Sequence, residues 1–336
     1  MSNNLDKQYK SILYDILYHG YKKKNRTSCD TFSIFNREIR HKMSEGFPLL
    51  TTKRVPFKTA GRELMWYLSG SSDIRDLWKR KVYVWDGDWY KNYKEKASSP
   101  YSLEEMKEFA EKGEPFFHDS VWDLGPIYGS QWRRWGESKD KKGVDQISAL
   151  VSNLMETPYS RRLLVNAWNV EELPNMTLPP CHYGFECWTR PLSLHERFVI
   201  FTQDNNEPVP RFETDEEYHK FYTEQYVPKF ELSLKWIQRS ADFPLGVPFN
   251  LVCYGLLLLM LADEVGMVPG ELVGSFTDCH IYENQIEGVE ELLTREPMSL
   301  PIVTVRDGLY SSIESDYDIE LEYYKHHPTI KFPLTN

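Results

Sequence analysis

The chain has 336 residues, of which 41% are hydrophobic and 14% aromatic, and it carries a formal net charge of -10. It is therefore long enough to bury a large core, and it has no general basic field that could hold a nucleic acid or an anionic membrane. Any phosphate group that it binds has to be met by local arginines.

The cysteines form no CxxC pair and no zinc-like spacing; they are Cys29, Cys181, Cys187, Cys253 and Cys279. We therefore expect reduced thiols, a cytoplasmic protein and no bound metal. The polar N-terminus lacks the apolar core of a signal peptide, and the longest apolar stretch, residues 251–262, is too short to cross a bilayer. It predicts a buried helix, and no membrane partner is expected.

Helix and strand patterns mix from the start of the chain. Residues 5–20 carry apolar side chains at helical spacing, which predicts an amphipathic first helix. The basic segment 22–26 that follows is typical of a solvated helix end. Residues 31–43 alternate and predict a strand, whereas residues 57–70 predict a helix that stops at Gly70.

Two stretches resemble insertions on a smaller scaffold. Residues 86–120 are charged, aromatic and aperiodic, and residues 189–228 place polar, proline-containing sequence between two apolar segments. Strands are predicted at 161–170, 182–188 and 230–239. The predicted fold is α+β: one domain over residues 1–336, with a large mixed β-sheet as its core, flanked by helices and carrying the two insertions.

The segment LPPCHYGF places Cys181 beside His182. A thiolate becomes nucleophilic when a nearby cation or base lowers its pKa. Neighbouring side chains on a strand point to opposite faces, so adjacency alone makes no catalytic pair. This stretch alone therefore favours a small buried cysteine over a nucleophile.

A second segment has the chemistry of a phosphate site. Residues 238–250 set polar side chains around a loop bent by proline and glycine, namely Arg239, Ser240, Asp242 and Asn250. An arginine brings a fork of donors and a serine brings a hydroxyl, although either alone is typical of a surface ion pair or a turn. With Arg161 and Arg162, they indicate a phosphate monoester as the target.

Ten motifs, in order over residues 25–336, resemble those of the thymidylate synthase family. They are NRTSCDTFSIF, GFPLLTTKR, RELMWYLSGSSDI, VWDGDW, DLGPIYGSQWR, YSRRLLVNAWN, LPPCHYGF, QRSADFPLGVPFN, TDCHIYEN and HHPTIKFPLTN. The resemblance implies that Cys181 attacks C6 of a pyrimidine nucleotide. C5 then becomes an enolate carbon that captures a one-carbon unit from 5,10-methylenetetrahydrofolate, the cosubstrate.

The resemblance also assigns roles to single residues. The catalytic group is Cys181, Glu63, Tyr128 and Asn250. The nucleotide ligands are Arg26, Arg161, Arg162, Arg239, Ser240, Asn250, His280 and Tyr282. The folate ligands are Trp85, Asp242, Gly246 and Phe249. For His280 a satisfied strand histidine, and for Trp85 a core position, are the structural alternatives. The family forms homodimers, in which Arg161 and Arg162 would serve the partner's site.

Glu63 and Asn250 also have a physical argument of their own. A carboxylate on an otherwise apolar helix face is costly without partners, which favours a functional role for Glu63. The amide of Asn250 can donate to a carbonyl oxygen and accept from an imide N–H, the pattern on the O4/N3 edge of uracil. Cytosine, with its amino donor, would suit an aspartate better, so the predicted substrate is dUMP.

The final step depends on what reaches the exocyclic methylene on C5: hydride gives dTMP, whereas water gives 5-hydroxymethyl-dUMP. Several residues depart from the family pattern, namely the polar end Leu334-Thr335-Asn336, Glu186, Thr277, Gln285 and the turn RTSCDT. A polar tail and an added carboxylate favour a retained water. We therefore expect a phage-type deoxyuridylate hydroxymethylase from a virus with modified DNA, in the host cytoplasm. Thymidylate synthase is the alternative, and a catalytically inactive nucleotide- or RNA-binding relative is a remote one.

Overall fold

In the computed structural model, residues 3–24, 29–113, 118–205, 208–305, 309–310 and 319–334 are described. In these ranges the helices are α1 (Asn4–His19), α2 (Phe57–Ser69), α3 (Ile74–Lys79), α4 (Asp86–Lys96), α5 (Leu103–Lys112), α6 (Tyr128–Arg134), α7 (Gln146–Glu156), α8 (Leu194–Asp204), α9 (Asp215–Glu224), α10 (Gly246–Glu264) and α11 (Ile286–Thr294). The strands are β1 (Tyr21–Lys23), β2 (Thr31–Lys42), β3 (Leu164–Asn166), β4 (His182–Pro191), β5 (Phe230–Asp242), β6 (Val268–Tyr282), β7 (Ile302–Val305) and β8 (Ile319–Glu322).

The core of the fold is a mixed six-stranded sheet with the order β1-β2-β6-β5-β4-β3. Neighbouring strands are antiparallel except β5 and β6, which are parallel. A parallel pair needs a crossover connection, and α10 supplies it. The structure therefore confirms the α+β class with a large mixed sheet flanked by helices.

Helix α10 is the central buried element. Of its 19 residues, those from 251 to 262 are apolar on every side, and Leu256, Leu257 and Leu258 are fully buried. By length and composition it could cross a membrane, but most of it lies inside the protein, as the core helix of a soluble protein does. It begins at Gly246, five residues earlier than the apolar run predicts.

The first elements agree with the sequence pattern. Helix α1 buries Leu5, Tyr9 and Leu13 along one face, as the helical spacing predicts. Helix α2 ends where the chain enters the left-handed region at Gly70, whose φ is 77°. Glycine reaches this conformation without steric cost, which explains why the helix stops there.

The predicted strand over 161–170 is much shorter, because β3 covers Leu164–Asn166 only. The Asn166 side chain accepts a hydrogen bond from the backbone N–H of Trp168 at 2.8 Å. Such a contact closes a turn and competes with strand pairing. The edge strand therefore ends at the asparagine.

The predicted loop around residues 238–250 is also smaller than expected. Residues up to Asp242 continue β5, because Asp242 pairs with His280 on β6, and Asn250 already lies in α10. Both stretches interpreted as insertions contain helices that the sequence pattern did not predict. These are α4 and α5 in 86–120, and α8 and α9 in 189–228.

Candidate active site

Cys181 is held by its backbone between two elements. It lies directly before β4 and is half-buried. Its backbone N–H donates to the Tyr128 hydroxyl of α6 at 2.8 Å. Its carbonyl oxygen accepts from the backbone N–H of Arg239 on β5 at 2.9 Å. The position of the cysteine is therefore set by residues that lie more than fifty positions away along the chain.

The Arg239 guanidinium lies against the same turn. Its Nε donates to the carbonyl oxygen of Pro180 at 2.9 Å, and its Nη2 donates to that of Pro179 at 2.9 Å. The guanidinium also lies over the Trp168 ring, 5.2 Å from its centroid. The cation of Arg239 is therefore fixed beside the turn that carries Cys181.

His182 does not act as the cysteine's partner. Its Nδ1 lies 2.8 Å from the Tyr254 hydroxyl, and its ring stacks on that of Tyr128 with centroids 4.2 Å apart. Burial lowers the pKa of His182 to about 3. The imidazole is neutral near pH 7, so it supplies no positive charge to the thiol and supports Tyr128 by packing.

Glu63 is the buried carboxylate of the site, with 9% of its surface exposed. Its Oε1 accepts from the Tyr67 hydroxyl and from the Trp85 indole Nε1, each at 2.9 Å. Burial raises the pKa of Glu63 above its usual range, while the two donors oppose that rise. A carboxyl group in this setting can hold or release a proton closer to neutral pH than a surface glutamate does.

Sequence reasoning missed Tyr67. It follows Glu63 by four residues on α2, and side chains at that spacing share one helix face. The spacing of four residues from Glu63 could therefore have identified Tyr67 from the sequence.

Replacing Tyr67 with phenylalanine is expected to raise the pKa of Glu63 further, because it removes one donor to the carboxylate and keeps the ring. The limb of the pH profile of kcat that belongs to Glu63 should move to higher pH. Steady-state rates measured from pH 5 to 9 test this shift, with Tyr18→Phe, at an exposed position of α1, as the control. An unchanged profile would show that the hydroxyl does not tune the carboxyl group.

Asp242 lies at a second polar cluster, which reaches the C-terminal segment. It accepts from the backbone N–H of Leu245 at 3.0 Å and from Gln285 Nε2 at 3.2 Å. The same Gln285 amide lies 3.3 Å from the carbonyl oxygen of Pro333, to which it donates. Burial raises the pKa of Asp242. Gln285, noted in the sequence as a departure, therefore connects a predicted folate ligand to the tail, a role that the sequence did not reveal.

Lys53 also belongs to this cluster, and the sequence pattern did not predict it. Burial lowers its pKa to about 7. Its Nζ donates to the carbonyl oxygen of Pro244 and lies 4.7 Å from the centroid of the Phe332 ring. Phe332 is 8% exposed and packs into the protein, whereas Leu334, the last described residue, is 56% exposed.

The ends of β5 and β6 bring the predicted nucleotide ligands together. Ser240 pairs with Asp278 in the parallel register, and Asp242 pairs with His280. His280 Nδ1 lies 3.2 Å from Asp278 Oδ1, and its ring is 5.3 Å from that of Tyr282. The bond to His280 lowers the pKa of Asp278. Gly246, Phe249 and Asn250 follow at the start of α10.

The structure does not place the other predicted residues at the ends of β5 and β6 or at the start of α10. Arg161 and Arg162 are exposed before β3, and Arg26 lies outside the described residues, as do Thr335 and Asn336. Glu186 is exposed on β4, in a groove that also includes Leu164 and Ile237. Thr277 is exposed on β6. Among the described residues, no group of three or more His, Cys, Asp or Glu side chains could hold a metal ion.

A family model described as thymidylate synthase matches residues 7–206 and 216–336. The match leaves out only the first residues and a short segment between α8 and α9. The chain belongs to the thymidylate synthase family, whose reaction is the transfer of a one-carbon unit from methylenetetrahydrofolate to C5 of dUMP.

Proposed function

We propose that this protein is a thymidylate synthase that forms a covalent adduct between Cys181 and C6 of dUMP. The observation that carries the proposal is the turn at Cys181, which Tyr128 and Arg239 fix from two sides. Attack of the thiolate on C6 makes C5 carbanionic, and C5 then bonds to the methylene carbon of the folate. Loss of the C5 proton and of tetrahydrofolate leaves an exocyclic methylene.

Recognition of the nucleotide is assigned to the ends of β5 and β6 and the start of α10. Arg239 and Ser240 bind the phosphate, with Arg26 as a further ligand, while His280 and Tyr282 bind the ribose hydroxyl. The Asn250 amide binds O4 and N3 of uracil, because it offers one donor and one acceptor. Asp242, Trp85, Gly246 and Phe249 hold the folate. The contacts of Asp242 with Leu245 and Gln285 leave a carboxylate of fixed orientation for a folate N–H.

The packing of Phe332 and the enclosure of Glu63 support hydride, rather than water, as the final reactant. Phe332 is nearly buried beside Lys53, and Pro333 is hydrogen-bonded to Gln285. Glu63 is enclosed by Tyr67 and Trp85. An enclosed site excludes water, which leaves the hydride on tetrahydrofolate as the reactant. Hydride transfer yields dTMP and dihydrofolate, and the thiolate leaves as the C5–C6 double bond forms again.

The second candidate is the deoxyuridylate hydroxymethylase, in which water adds to the methylene and gives 5-hydroxymethyl-dUMP and tetrahydrofolate. The polar end of the chain, Thr335-Asn336, favours it, because such a tail can retain a water molecule. The added carboxylate of Glu186 also favours it, and this side chain is exposed on β4.

Product identification separates the two outcomes. The protein is incubated with dUMP and methylenetetrahydrofolate, the nucleotide is identified by its mass, and dihydrofolate is followed by its absorbance. The proposal expects dTMP with an equal amount of dihydrofolate. Formation of 5-hydroxymethyl-dUMP with tetrahydrofolate would replace it with the second candidate. Binding of dUMP without either product would identify an inactive relative.

We also propose a homodimer, in which the partner covers the surface of the sheet opposite α10. The exposed fractions of Trp188 and Leu164 are 61% and 49%, and Leu164 lines a groove together with Ile237 and Glu186. An exposed apolar patch of this kind is typical of an interface. A second copy of this chain covers it, and the exposed Arg161 and Arg162 next to β3 extend to the partner's phosphate site. All five cysteines lie among the described residues and none of them forms a disulfide, which is consistent with a cytoplasmic location.

Trp188→Glu is expected to weaken this dimer about 30-fold or more, because it removes a large aromatic side chain and buries a charge in the interface. Sedimentation equilibrium measures the change in the dissociation constant. Tyr226→Glu, at a position with an exposed fraction of 95% in the segment between α9 and β5, is the matched control. If Trp188→Glu and the control leave the same dimer, the sheet surface is not the interface.

A further inference from the structure

Helix α5 belongs to the first of the two stretches interpreted as insertions, and it contacts the turn that carries Trp85, residues 83–86. The function proposed above gives this helix no role. A capping box of Ser102 and Glu105 defines its start. Its Met106 is fully buried and is part of the main core. The inserted helix is therefore a fixed part of the fold.

Lys107 of α5 makes three contacts around this turn. Its Nζ donates to Asp86 Oδ2 at 2.6 Å, and the side chains of this ion pair are 30% and 13% exposed. The same Nζ lies 4.6 Å from the centroid of the Tyr83 ring and 5.8 Å from that of Trp78. Aromatic faces attract a cation at such distances. Lys107 therefore contacts residues on both sides of Trp85 in the chain.

Asp86 connects this lysine to the turn. It is buried, and its Oδ1 accepts from the indole Nε1 of Trp78 at 2.8 Å. Its backbone N–H donates to the carbonyl oxygen of Tyr83 at 3.2 Å. A buried carboxylate that loses its cationic partner is costly, because the remaining charge has to reach water. We therefore expect the turn to shift when Lys107 loses its charge.

Trp85 passes such a shift to the buried carboxyl group of the site. It directly precedes Asp86 and is the N-cap residue of α4. Its indole Nε1 donates to Glu63 Oε1 at 2.9 Å. A hydrogen bond weakens steeply as its angle and length depart from the optimum. This donor opposes the rise that burial causes in the pKa of Glu63, so a weaker bond raises that pKa further.

We infer that Lys107 is a positioning residue of the inserted helix, which holds Trp85 in place for Glu63 through its contact with Asp86. Lys107 acts through the turn and is not itself a catalytic residue. The inference rests on the proposed function in one respect, the assignment of Trp85 to the folate. Because the same indole would contact the folate, loss of the lysine should also weaken folate binding. The insertion thus contributes to the active site without entering it.

Infrared pH-difference spectra of the full-length protein follow the protonation of Glu63 without turnover, because its carboxyl band is the one that Glu63→Gln lacks. In Lys107→Gln the midpoint of this band should move to higher pH than in the wild type. The KM for methylenetetrahydrofolate should rise about threefold, with a smaller change in kcat. Lys107→Arg keeps a cation and should restore both values. Lys112→Gln removes an exposed charge from the same helix and should change neither.

Asp86→Asn separates positioning from a direct effect of charge. Both Asp86→Asn and Lys107→Gln break the ion pair, so positioning predicts a higher Glu63 midpoint in each. Charge alone would raise the midpoint when the lysine is lost and lower it when the carboxylate is lost. Opposite shifts, or an unchanged midpoint in Lys107→Gln, would overturn the inference. A raised midpoint with an unchanged KM would instead contradict Trp85 as a folate ligand, which belongs to the proposed function.

Discussion

Cys181→Ser is expected to lower kcat by roughly four orders of magnitude or more, the scale on which loss of a nucleophile acts in other enzymes. A hydroxyl is a far weaker nucleophile than a thiolate near neutral pH. His182 is neutral and hydrogen-bonded to Tyr254, so it does not activate the serine. The backbone bonds to Tyr128 and Arg239 involve main-chain atoms of residue 181, so they persist in the variant.

Binding of dUMP should therefore stay within a few-fold of the wild-type affinity in isothermal titration calorimetry. Intact-protein mass spectrometry with 5-fluoro-dUMP and methylenetetrahydrofolate gives an independent measurement, because C5 cannot lose fluorine as it loses a proton and the adduct accumulates. The adduct should form in the wild type and be absent in Cys181→Ser. Cys187→Ser, which changes a buried thiol of β4 whose pKa is raised to about 12, is the control and should keep the adduct. An adduct in Cys181→Ser would assign the nucleophile to another residue.

Patterns that extend over one element were predictable from the sequence. The all-apolar run of α10 and the helical spacing of α1 each contain enough residues to fix the type of element and its burial. Single polar side chains were harder to place. Asn166 ends β3 through a turn contact, and the pairing of Asp242 with His280 extends β5 beyond the predicted loop. Such contacts depend on tertiary structure.

The same distinction applies to the candidate site. The sequence identified Glu63 because a carboxylate on an apolar helix face needs partners. The structure contains two hydrogen-bond donors to it, Tyr67 and Trp85. Its contact with Tyr67 lies within one helix turn and was accessible from spacing. The contacts of Gln285 with Asp242 and Pro333 join residues 43 and 48 positions apart. No local pattern encodes such pairs, so the role of the tail emerged only from the fold.

Glu63→Gln is expected to lower kcat by about 10²- to 10⁴-fold, the range that a positioned acid or base contributes to proton transfer. The glutamine keeps nearly the same volume, and its carbonyl oxygen can accept from Tyr67 and Trp85 as the carboxylate does. It cannot carry a proton at neutral pH. The loss should therefore be in chemistry rather than in folding, and the dissociation constant of dUMP should change little.

The pH dependence separates proton transfer from geometry. Burial raises the pKa of Glu63, so the wild-type profile of kcat should contain a limb above the usual pKa of a glutamate, and this limb should be absent in Glu63→Gln. Glu63→Asp keeps a carboxyl group but moves it, so it should retain a limb at a reduced rate. Glu104→Gln, an exposed change on α5, should leave both rate and profile unchanged. If Glu63→Gln kept wild-type kcat and the same limb, the proton would have to travel through another group, and the enclosure by Tyr67 and Trp85 would serve structure alone.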